Sequence, residues 1–392
     1  MRTSVEALVT PSVLKWAREK SGYDLQTASK KIGRPVSDIE AWESGEKRPT
    51  LAQARKAAEV YKYSLAVFYL PEPPKGFSVL RDFRNLPDER EREYSPKLLF
   101  LIRRTQARQE WMRELLISEG ADKLEFIGSG KMDEPADKLA SEIRNFLKVA
   151  PEDQIACRDY REALNIWIDG AEMAGINICR EGGIDCVEAR GFAIADPYAP
   201  FIFINSEDAT AGQMFTLVHE LAHLWLNESG VSNLEQLEAR SKSKTMRIEV
   251  FCNRVAGLVL VEPGVFNELW AEKSFAESIE EKIEETSKRF KVSEEVIARR
   301  LLDIGIIDDE KYKYLRKIYM DRWIEFKATR RASGGFVPPN LMTVVQYGRS
   351  FTQTVLSAYQ NGVISGADAS YLLGRKIGYF KGIAEYAYRR PI

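Results

Sequence analysis

The stretch that decides the fold runs Phe215-Thr-Leu-Val-His219-Glu220-Leu-Ala-His223-Leu-Trp-Leu226. Its two histidines are the only ones in 392 residues. Two histidines placed at random would fall four apart on the order of once in 200 trials, and a glutamate directly after the first cuts that roughly another tenfold. The surrounding apolar residues predict a helix over about 209–226, and positions four apart on a helix share one face. Both imidazoles then aim at one point, the geometry a tetrahedral zinc requires. Glu220 flanks that point, placed to take a proton from a water the metal acidifies and to pass it to a leaving amine. The chemistry indicated is peptide hydrolysis.

A catalytic zinc keeps three protein ligands and one open position, and with no further histidine the third ligand must be of another type. Candidates downstream are Glu228, Glu235, Glu238, Glu249 and Cys252. The first three fall in a polar stretch, 227–244, whose Ser, Glu, Lys and Gly230 cannot pack a core and read as a mobile flap. Glu249 instead opens an apolar helix, Glu249-Val-Phe-Cys-Asn253-Arg-Val-Ala-Gly-Leu258, that can lie against the His-bearing one, and it is the expected third ligand. Asn253 shares its face one turn on and can hydrogen-bond the far nitrogen of a ligand histidine. Cys252 reads as a small buried hydrophobe. One zinc per chain is the expected cofactor.

Composition fits this frame. The hydrophobic fraction of 44% and charged fraction of 29% are those of ordinary globular proteins. The formal net charge of -1 excludes a global cationic field, so any surface for nucleic acid must be local. Cys157, Cys179, Cys186 and Cys252 lack CxxC spacing, which argues against a disulfide framework. No stretch approaches about 18 apolar residues and the N-terminus lacks a signal-peptide core, so a cytoplasmic protein without membrane contact is expected. The length calls for several domains.

Five short helices are expected in the first 70 residues, punctuated by Gly22, Gly33, Gly45 and the cap Thr50. Pro71-Glu-Pro-Pro74 marks a boundary. An Arg-bearing loop (Arg81, Arg84, Arg90, Arg92) and a long helix from about Pro96 to Gly120 form a connector over 71–135. Helices near 137–147 and 160–175 precede apolar runs at 176–179, 191–195 and 201–204 that read as strands. Beyond the His-bearing segment, helices are expected at about 247–260, 275–290 and 293–304. Ser333-Gly-Gly335 and Pro338-Pro339 mark a last boundary. The expected division is therefore 1–70, 71–135, 136–310 and 311–392, with no internal repeat evident.

The order Phe203-Ile-Asn205, Phe215 to His223, then Glu249 to Ala256 resembles the ImmA/IrrE family of zinc metallopeptidases over about residues 140–305. The resemblance implies zinc on His219, His223 and Glu249 with Glu220 as catalytic base. Many members read Ala where Cys252 stands. Members act chiefly as narrow regulatory proteases that cleave a helix-turn-helix repressor, some with weak or no turnover.

The first 70 residues are similar to lambda-repressor-type (XRE, Cro-like) helix-turn-helix domains through Ala28-Ser-Lys-Lys-Ile-Gly33, Ile39-Glu-Ala-Trp42-Glu43 and Arg48-Pro-Thr50. The third helix would be the reader. Lys30, Lys31, Arg34, Ser37, Lys47 and Arg48 are the candidate DNA contacts. The reading helix offers Ser37, Asp38, Glu40 and Ala41 and no Arg or Asn for base contacts, so two readings compete: operator binding and a protein-docking platform. A second such stretch, Lys288 to Leu301, reads as a packing element. The fused order resembles antitoxins encoded beside PIN-like ribonuclease toxins, which implies binding to its own promoter and to a toxin, with 347–374 as one toxin contact. A homodimer follows by analogy with repressors.

The expectation is thus a multidomain, mostly helical α+β protein: a five-helix N-terminal domain, a zincin-like peptidase domain with a small β-sheet, and a small helical C-terminal module.

Overall fold

The computed structural model describes residues 5–74, 81–82, 94–232, 244–272, 278–330 and 337–389. Arg84, Arg90, Arg92, most of the polar stretch after the His-bearing helix (233–243, with Glu235 and Glu238) and Ser333 to Gly335 lie outside these residues. Among the described residues the fold is mostly helical, with one small mixed sheet. It divides into two compact units, one of residues 1–80 and 89–107, the other of 81–88 and 108–392. No described helix is long and apolar enough to cross a membrane.

In the first unit, helices Pro11–Lys20, Leu25–Ile32, Val36–Ser44 and Leu51–Tyr61 are followed by a 3-10 turn, Leu65–Tyr69, where a fifth helix was expected. Gly33 and Gly45 end their helices in the left-handed conformation. Thr50 caps the fourth in a reciprocal bond pair with Gln53, as its sequence position suggests. Thr10 stands at the first N-cap without a side-chain bond. Val13, Leu14, Ala17, Ala28, Ile39, Trp42, Ala54 and Tyr61 close the core. Arg18 grips Glu43 through two hydrogen bonds of 2.7 and 2.9 Å, both side chains nearly buried, and so fixes the first helix to the third.

The second unit is built round five strands: β1 (Arg81–Asp82), β2 (Asn177–Glu181), β3 (Gly191–Ile194), β4 (Phe201–Asn205) and β5 (Gly230–Ser232). Their order is β1-β5-β3-β4-β2. β2 runs parallel to β4, while β3 is antiparallel to both β4 and β5. The three apolar runs are β2, β3 and β4. β1 and β5 were not foreseen, because two- and three-residue strands carry no alternation to read. The helices Ala136–Leu147, Tyr160–Met173, Thr210–Trp225 and Lys244–Leu260 pack on one another and on the sheet round a single large core. The Ile279–Phe290 and Glu294–Asp303 pair joins that core through Ile283, Phe290, Val292, Ile297 and Leu301, in keeping with a packing role.

The tail helices Pro339–Tyr347 and Arg349–Gln360 meet at Gly348, whose φ is +82°. A Cβ there would stand 2.5 Å from the Ile178 carbonyl oxygen and 2.8 Å from Glu172 Oε1, so the close approach of the tail to β2 depends on glycine. Glu172 accepts a hydrogen bond from Arg349 N, and burial raises its carboxyl to about 7.

Candidate metal centre

Twelve of the 16 residues of the His helix, Thr210–Trp225, are buried, a pattern that only a helix packed on all sides can keep. β3 and β4 cover one flank, and the Glu249 helix, Lys244–Leu260, lies along another. This packing carries three polar side chains into the core at one point. His219 Nε2 and His223 Nε2 stand 3.0 Å apart. Glu249 Oε2 is 3.4 Å from the first and Glu249 Oε1 3.0 Å from the second. Among the described residues, this trio is the group of His, Cys, Asp and Glu side chains arranged to hold a metal ion, its ligand atoms all within 4.8 Å of one another.

The fit can be tested from the donor atoms alone. Two donors on a tetrahedral ion with bonds of about 2.0–2.1 Å are about 3.3 Å apart, close to the three separations found. Two imidazole nitrogens and a carboxylate, none with more than 1% exposure, would be a costly cluster to bury without a cation. The three side chains also shift one another's protonation. Burial opposes charge on Glu249, but the two histidines outweigh it and hold the carboxyl down at about 2. Burial lowers His223, while at His219 burial is outweighed by Glu249 and the net direction is up. Burial pushes the Cys252 thiol well up, and its sulfur stands outside the trio.

Glu220 is fully buried beside His219, and its charge adds to the rise of that ring. Asn253 lies close enough to favour the protonated His219 ring, yet no hydrogen bond of ordinary geometry joins them, and His219 Nδ1 and Asn253 Oδ1 are buried without a partner. Glu228 is half-buried and outside the trio.

Several supporting residues escaped the sequence reading. Gly191, first residue of β3, leaves room for the Glu220 carboxylate: a Cβ there would sit 3.1 Å from Glu220 Oε1 and 2.5 Å from Thr216 Cγ2. Asp208, just ahead of the His helix, pairs with Arg190 Nη1 at 3.2 Å and accepts a hydrogen bond from Trp323 Nε1 at 3.1 Å. These contacts tie the start of the His helix to the entry of β3. A glycine opening an apolar run was a faint signal for the first. Nothing in the sequence marks a pair 115 residues apart.

In the first unit, Lys30, Lys31, Arg34, Ser37, Lys47 and Arg48 are all exposed round the Gly33 turn and the Val36–Ser44 helix. Lys47 is engaged by Asp38 at 2.8 Å, which lowers the cationic character of that face. Trp42 is core.

Residues 171–302 match the family model of the IrrE N-terminal-like domain, a peptidase family, and residues 14–68 match the helix-turn-helix model. The chain joins a helix-turn-helix domain to an IrrE-like metallopeptidase domain. That fusion is the one the sequence motifs indicate, and it makes the protein a regulator. No curated protein matches the chain. His219, Glu220, His223, Glu249 and Asn253 all lie inside the IrrE-like match, whereas the tail after 302 lies outside both.

Proposed function

We propose that the protein is a zinc-dependent endopeptidase that cleaves one specific regulatory protein and binds DNA at its own promoter through the helix-turn-helix domain. The observation that carries this reading is the convergence of two Nε2 atoms and the Glu249 carboxylate at 3.0–3.4 Å beside a buried glutamate. His219, His223 and Glu249 would hold one zinc per chain. When bound, zinc supplies a Lewis acid that polarises the scissile carbonyl and acidifies water. Glu220 takes the water proton and returns it to the leaving amine. Asn253 would orient His219 by meeting Nδ1 once its side chain turns toward the ring, since the two are not bonded here. The working division is 1–70 for DNA, 71–135 as connector, 136–310 for catalysis and 311–392 as a C-terminal module.

The near-complete burial of the four site residues favours a second reading, without cleavage, and the domain order then suggests by resemblance a repressor of antitoxin type that binds its promoter and a PIN-like ribonuclease toxin. A peptide bond reaches Glu220 only if the segments packed round it open.

Glu220→Gln separates the two. Its amide is isosteric and cannot act as a base, so new protein N-termini generated in a cell extract by the wild type should fall by about 10²–10⁴-fold while bound metal stays. Extracts processed alike by both proteins would remove the peptidase reading and leave the repressor.

A further inference from the structure

The tail follows the helix and turn of the N-terminal helix-turn-helix at a constant offset of 341 residues, and where that domain continues into Val36–Ser44 the tail has a 3-10 turn, Ile377–Tyr379, leading into the helix Phe380–Ala387. Leu25–Ile32 and Gly366–Leu373 are both eight-residue helices. The caps Asp24 and Ser365 accept hydrogen bonds from Thr27 N and Asp368 N. Ala28-Ser29 and Ala369-Ser370 occupy the same register, and both alanines have no exposure. Gly33 and Gly374 end the helices in the left-handed region, at φ +74° and +58°. Arg34 N and Arg375 N then donate to Ser29 O and Ser370 O at 3.1 and 3.2 Å. After the turn, Ile39 and Trp42 in one segment and Phe380 and Ile383 in the other supply the buried residues. The repeat escapes a reading of the sequence because the core residues differ in kind and share only their burial.

The two segments differ where they face solvent. The N-terminal reader presents Asp38 and Glu40, and the tail has Tyr379 and Lys381 at those register positions. Lys376, Lys381 and Arg389 are exposed, and Tyr371, Tyr379 and Tyr388 are 73%, 54% and 52% exposed among them. A Cβ on the exposed Gly378 would meet nothing, so the backbone can approach a ligand closely there. Six basic residues stand against two acidic ones over 340–392, a net +4 in a chain of net charge -1. Basic side chains interleaved with exposed aromatic rings on a helix-turn-helix suit the phosphate backbone of duplex DNA.

We propose that the tail is a second DNA-binding helix-turn-helix, contacting phosphates through Lys376 and Lys381, with Arg375 held back for structure by its bond to Thr343 Oγ1. The test uses the full chain and a random-sequence duplex of about 30 base pairs, titrated at several salt concentrations. Lys376→Ala/Lys381→Ala should bind more weakly with a shallower salt dependence. Two lost phosphate contacts mean that raising salt from about 50 to 200 mM costs the wild type about twelvefold more affinity than the variant. Both lysines are exposed, so circular dichroism and Tm should not change. Lys30→Ala/Lys31→Ala is the comparator: residual DNA binding in it, removed by adding the tail substitutions, supports the proposal. Tail variants with wild-type affinity and salt slope would overturn it, as would tail substitutions that release a protein partner and leave DNA binding intact; either result leaves the N-terminal domain's DNA binding untouched.

Discussion

Two helices carry the functional claims, and they are built in opposite ways. The His helix, Thr210–Trp225, hides its polar groups, and their alignment depends on a second helix and a strand. The reader helix, Val36–Ser44, buries Ile39 and Trp42 and turns Ser37 and Glu40 to water. A polar group buried in a core is expensive unless its partners are placed to meet it, so the His helix tolerates few alternatives. An exposed face is held only by what it binds, and many side chains keep the same fold. The interior site therefore announces its chemistry, whereas the surface site leaves open which macromolecule it contacts.

That contrast can be sharpened by substitution. The largest effect is expected where the reader helix does depend on a buried charge: Arg18→Ala strands Glu43 and should cost about 3 kcal/mol, seen as lost amide-exchange protection across the first unit. Retained protection would mean that the pair is ornamental and the helix is held by Trp42 and Ile39 alone. A smaller loss, about 1–3 kcal/mol, is expected from Gly191→Ala, whose methyl would press on Thr216 and crowd Glu220. It should lower the Tm of the peptidase unit and its cleavage rate together. A variant of normal stability and rate would show that β3 can give way, and that the interior is less exacting than the comparison holds.

Legibility followed the same divide. The meeting of His219, His223 and Glu249 could be read, the histidines from their spacing and Glu249 from its place on an apolar helix. Gly191, Arg190, Asp208 and Trp323 could not, since their roles arise from contacts that the chain makes only when folded. The three apolar strands were visible, and the short β1 and β5 were not, having too few residues to show a period. The tail's repeat was hidden because Leu373, Phe380 and Ile383 fill the places of Ile32, Ile39 and Trp42 with different shapes. The fifth N-terminal helix became a 3-10 turn, a distinction that a five-residue segment cannot signal.

The central claim is that His219, His223 and Glu249 form one metal site. It is tested most directly by elemental mass spectrometry on the purified wild type beside His223→Ala and Glu249→Ala. The account predicts one zinc per chain in the wild type and none in either variant. A wild type that carries no metal and takes up none when supplied, or variants that keep it, would contradict the account.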